Sequence, residues 1–90
     1  MTNRQQIQKM ITELSQESGI NYTLEGYDAT LDYFSKSQLK RIKDALYYAS
    51  STDLRFRIKN VTIMVEVCFI DNEIDFYAMD LDEYKERYDI

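Results

Sequence analysis

Residues 54–79 read LRFRIKNVTIMVEVCFIDNEIDFYAM, and the way they pair decides the fold. The first five alternate apolar and basic, the pattern of a half-buried strand. With Lys59 and Asn60 as a two-residue turn, Ile58 faces Val61, Phe56 faces Ile63 and Leu54 faces Val65. With Asp71 and Asn72 as the next turn, Phe69 faces Ile74, Val67 faces Phe76 and Val65 faces Ala78. All these pairs are apolar and share one face. A slip of one residue would turn an apolar set to the opposite face, so the register is strongly specified. The stretch predicts a three-stranded antiparallel meander over about 54–79 with one buried face.

Upstream, residues 4–18 place Ile7, Met10, Ile11 and Leu14 at helical spacing. Thr2 with Gln5, or Asn3 with Gln6, offers a capping box, and Gly19 stands where a helix ends in a left-handed turn. Residues 36–50 follow a second capping box, Ser35 with Gln38. Their buried stripe is Leu39, Ile42, Leu46 and Ala49, with Lys36, Lys40 and Lys43 on the outer face. Between the helices, residues 20–33 alternate on both sides of Gly26. A hairpin turning at Glu25-Gly26 satisfies that pattern, as does a loop or short helical turn across 27–34. Downstream, Asp80 caps a last helix over about 81–89. Its apolar stripe is Leu81, Tyr84 and Tyr88, and Asp82, Glu86 and Asp89 share another face. The helices over about 4–18 and 36–50 are expected to cover the apolar face of the sheet, with the short helix over 81–89 in addition, giving one α+β two-layer domain over residues 1–90.

Ninety residues suffice for one core, burying roughly 60–65% of the unfolded surface. Cys68 is the lone cysteine, so no internal disulfide and no cysteine-based zinc site can form. The N-terminal residues are polar, without an apolar signal-peptide segment, and no apolar run approaches the ~20 residues of a membrane span. The expected setting is a reducing cytoplasm.

Histidine is absent, which removes the commonest general base and metal ligand. The two glycines stand alone, so there is no phosphate-binding loop, dinucleotide fingerprint or nucleophile elbow. Cys68 falls on the sheet face opposite the core without a histidine to activate it, and reads as a packing residue. Asp71, Glu73 and Asp75, with Asp82 at the twelfth position, begin like an acidic calcium loop. Phe76 stands where that loop needs glycine, and the segment reads as strand. No enzymatic activity, catalytic residue, metal or cofactor is expected.

Charge is unevenly placed in a chain of net −5. Residues 36–59 are net +5, and residues 71–90 are net −6. Lys36, Lys40, Lys43, Arg55 and Arg57 could hold phosphates, but the acidic ends and a pI near 4.6 oppose direct nucleic-acid binding. In the third strand, Glu73, Asp75 and Tyr77 point away from the core. Alternate strand positions lie ~6.6 Å apart, and alternate phosphates of one DNA strand advance ~6.8 Å along the axis. Asp71, Glu73 and Asp75, with Asp82, Glu86 and Asp89 from the helix, could therefore resemble a row of phosphates. The bland alternative is an edge strand kept soluble by charge. Eight tyrosines add side chains favoured at protein interfaces.

In size and acidity, though not in any motif, the chain resembles small acidic proteins of phages and mobile elements. Anti-CRISPR proteins and inhibitors of DNA-processing enzymes are examples. That likeness implies a non-enzymatic protein that occludes the basic, nucleic-acid-binding surface of a larger protein such as a nuclease. The expected contacts are Asp71, Glu73, Asp75, Tyr77, Asp82 and Glu86. The alternatives are a general interaction or regulatory module, as a homodimer pairing its basic helix with an acidic tail, and a nucleic-acid-binding module using residues 36–59.

Overall fold

The structure, a computed structural model, describes residues 1–90. The meander forms in the register its apolar pairs demand. Strand β2 (Thr52–Ile58) pairs antiparallel with β3 (Val61–Ile70), and β3 with β4 (Glu73–Asp80). Leu54 faces Val65, Phe56 faces Ile63 and Ile58 faces Val61. Across the second turn, Val65 faces Ala78, Val67 faces Phe76 and Phe69 faces Ile74. Lys59 and Asn60 both take positive φ, 48° and 65°, which a tight hairpin of matching twist requires.

Helix α1 (Asn3–Ser18) starts at the Thr2–Gln5 capping box and stops at Gly19, whose φ is 74°. Asn3 is therefore inside the helix, and its amide donates to the carbonyls of Leu31 (2.6 Å) and Phe34 (3.1 Å). Helix α2 (Lys36–Tyr47) starts at the Ser35–Gln38 capping box. It ends sooner than its apolar spacing suggests. Ala49, expected in the buried stripe, lies past the helix with φ 49° and is exposed. Ile7, Ile11, Leu39, Ile42 and Leu46 meet Phe56, Val65, Val67, Ile74 and Phe76 in one core.

Residues 20–33 do not form a hairpin. Strand β1 (Thr23–Gly26) joins the sheet parallel to β4, giving the order β1-β4-β3-β2, and Ala29–Tyr33 is a 3-10 helix. Pairing with β4 satisfies one side of the β1 backbone, and Leu24 packs against the core. At Gly26 the pairing is irregular, and the position favours glycine, because a Cβ there would fall on the Asp75 carboxylate. Beyond it Asp28 takes over the sheet edge. One of its oxygens accepts from Thr30 N–H (2.8 Å) and the other from Ala78 N–H (3.2 Å). Burial alone would raise the Asp28 carboxyl, but hydrogen bonding from the Thr30 N–H and side chain and from the Ala78 N–H outweighs it and holds it below its ordinary value.

The opposite edge is closed by α2. Gln38 donates to the Arg57 carbonyl (3.0 Å) and Arg41 to the Arg55 carbonyl (2.6 Å), covering acceptors that an edge strand would otherwise expose. The expected C-terminal helix is α3 (Leu81–Arg87). It packs on β3 and β4 through Tyr84, Arg87 and Tyr88, on the face opposite α1 and α2. Its stripe is therefore not part of the main core: Tyr84 is half-buried and Tyr88 is exposed. No helix is long and apolar enough to cross a membrane.

Candidate interaction surface

Strand alternation turns Glu73, Asp75, Tyr77 and Met79 to the face opposite Ile74, Phe76 and Ala78. Asp53, Glu66 and Tyr77 form one cross-strand row on that face, and Cys68 sits beside Asp75. No loop separates β4 from α3. Asp80 ends the strand, and its side chain accepts from Glu83 N–H (2.8 Å), turning the chain back over this same face.

Three tyrosines fasten the helix to carboxylates. Tyr77 donates to Glu83 (2.8 Å), Tyr84 to Asp53 (3.0 Å) and Tyr88 to Glu66. Arg87 lies over the Tyr77 ring at 5.3 Å, with its guanidinium 3.7 Å from Glu66. Glu66 is the one buried charged residue, 3% exposed, and these contacts offset its loss of water. Each tyrosine is held above its ordinary value, chiefly by the hydrogen bond to its carboxylate, and Tyr88 is pushed up to about 12. Burial, then the negative charges of Glu66, Asp75 and Asp53, raise the Cys68 thiol, which keeps it protonated and a poor nucleophile.

The residues singled out from sequence fall into different situations. Asp71, Glu73, Asp75, Asp82 and Glu86 are all exposed. None has an ion pair, since the chain's two pairs are Lys40–Asp44 and Arg87–Glu66. The structure puts the acidic strand and the acidic helix on one side of the sheet. It does not merge their side chains: Glu83, not Asp82 or Glu86, reaches Tyr77. By helical spacing Asp82 and Glu86 project on the side of α3 away from Tyr84 and Tyr88. Asp89, expected to share their helix face, lies beyond the helix with φ 54°.

Asp53, Glu66, Glu83 and Arg87 were not legible as a cluster. The only sequence signal was Glu66, the sole charge between residues 60 and 70. A carboxylate amid so apolar a run needs a partner, but nothing local says that Arg87 and Tyr88 supply it.

The basic set is divided. Arg55 and Arg57 lie on the α3 side of the sheet, while Lys36, Lys40 and Lys43 lie on the helical layer. Lys40 pairs with Asp44 at 3.1 Å, and Lys43 donates to Gln6 (2.8 Å). Arg41 lies over the Phe56 ring at 4.5 Å. Residues 1–50 carry six acids and six bases, whereas residues 51–90 carry ten acids and five bases. The net charge thus resides on the meander and α3. No group of three acidic, cysteine or histidine side chains is placed to hold a metal ion.

The chain matches no family model, no curated protein and no solved structure.

Proposed function

We propose that this is a non-enzymatic cytoplasmic binding protein whose α3-bearing face occludes a basic, nucleic-acid-binding surface of a larger protein. Asp71, Glu73, Asp75, Asp82 and Glu86 supply the charge and Tyr77 the packed contact. One observation carries the reading. The acids that hold the fold are engaged by tyrosines, Arg87 or backbone N–H groups, whereas these five, on or bordering one side of the sheet, have neither a side-chain hydrogen bond nor an ion pair, a state that elsewhere only Glu13, Glu17 and Asp89 share. Tyr77 stays 39% exposed among them, with its ring braced by Arg87 and its hydroxyl by Glu83. A preorganised aromatic beside unpaired carboxylates suits an arginine-rich groove.

The test is capture of a partner from host lysate by the wild type and by a Glu73→Lys/Glu86→Lys variant. Asp75 is left alone because its carboxylate packs against Gly26. The wild type should retain a nucleic-acid-binding protein, losing it steeply as salt rises, and the variant should not. Equal retention by both proteins, or an affinity indifferent to salt, would overturn the reading.

A further inference from the structure

Six of the eleven cations are engaged within the chain, Lys43 by Gln6 and Arg57 by the Asn60 carbonyl among them. Arg87 faces Glu66, Lys40 faces Asp44, Arg41 clamps the β2 edge and Arg4 lies over Tyr27 at 5.2 Å. Lys9 and Lys36, like Arg55, Lys59 and Lys85, have no partner for their charge. Together with Lys43 they line one groove of about 500 Å³ between α1 and α2, whose other walls are Met1, Gln6, Met10 and Glu13. Three lysines thus line a concavity that holds a single acidic residue. Gln6 accepts from Lys43 (2.8 Å) and so orients the ammonium group. The volume lies within the range of small-ligand sites.

We propose that this groove binds a short multivalent phosphate ligand, a polyphosphate chain or the polyphosphate end of a small organic anion. Lysine is a compact, multiply donating point charge suited to phosphoryl oxygens. Lys36 and Lys43 are seven residues apart, about 10 Å along the helix, so linked phosphoryl groups span them better than one phosphate does. Ligand length is set by the charge on the other side. The acidic face lies across the sheet and the helical layer, and a helix alone is about 10 Å across. That exceeds the screening length of about 8 Å at physiological salt. A short anion in the groove therefore feels the lysines and little of the acids. A long nucleic acid running off the groove would meet them. The site is separate from the acidic face, and either assignment can fail without the other.

The experiment titrates tripolyphosphate into isotopically labelled full-length protein and follows amide shifts. Saturable shifts should concentrate at residues 6–13 and 36–43. A Lys9→Gln/Lys36→Gln variant should weaken binding at least about tenfold, while Lys40→Gln, whose partner is Asp44, should leave it unchanged. Both variants alter exposed side chains, and an unchanged melting temperature verifies that they fold. Absence of saturable shifts at millimolar ligand would overturn the proposal, as would equal binding of sulfate. Tighter binding of a long single-stranded oligonucleotide through the same lysines would overturn the restriction to short ligands.

Discussion

At the scale of single residues, the outer face depends on pairs that cancel a cost. A glutamate with 3% exposure is unfavourable alone, and Tyr88 and Arg87 make it tolerable. The pair has a signature in pH. Tyr88 is raised from the ordinary 10.0 to about 12, so folding favours its protonated form. Its contribution is fully present below pH 10 and is lost as the pH rises through about 12. An absorbance titration of tyrosinate should show a component near 12 in the folded protein. Glu66→Gln should bring that component back toward 10, because the main cause is the hydrogen bond to the carboxylate. Titration of every tyrosine near 10 in a folded sample would refute the pairing. Asp28 works in the opposite sense. Its carboxyl is held low, against burial, by the Thr30 N–H and side chain and the Ala78 N–H, so its contribution disappears as acid protonates it.

At the scale of elements, the meander was legible because six apolar cross-strand pairs admit one register. The helix starts were legible because each capping box is a local pattern of four residues. The helix ends were less so, since Ala49 and Asp89 keep helical spacing but take left-handed φ. Strand β1 was illegible for a different reason. Four residues carry little periodicity, and the partner of Thr23 is Glu73, fifty positions away. The β2–β3 turn makes this scale testable. Lys59 and Asn60 hold positive φ without being glycine, which is sterically costly. Replacing them with Asn-Gly should stabilise the protein by about 0.5–1 kcal/mol. Urea denaturation should show a higher midpoint with an unchanged slope. A lower midpoint would mean that the lysine or asparagine side chain does more for the hairpin than its backbone costs.

At the scale of the molecule, one core joins both helices to the sheet, and Phe76 is its largest fully buried side chain. Phe76→Ala should cost about 3–5 kcal/mol. The total stability of ninety residues is roughly 5–13 kcal/mol, so thermal or denaturant unfolding should show a severely weakened but single cooperative transition. Two separate transitions would show that α1 and α2 do not share a core with the meander. The sequence by itself determined the α+β class, the strand register, the helix starts and the asymmetry of charge. Each follows from periodicity or capping, which act within a few residues. Only the tertiary structure decided that α3 crosses to the far face and that β1 pairs parallel with β4. It also decided that Lys9 joins Lys36 and Lys43, and that the acids of β4 and α3 share a side of the sheet. Those outcomes depend on contacts between residues far apart in the chain. Burial of Glu66 depends on where Arg87 and Tyr88 come to rest, and short-range pattern carries no information about that.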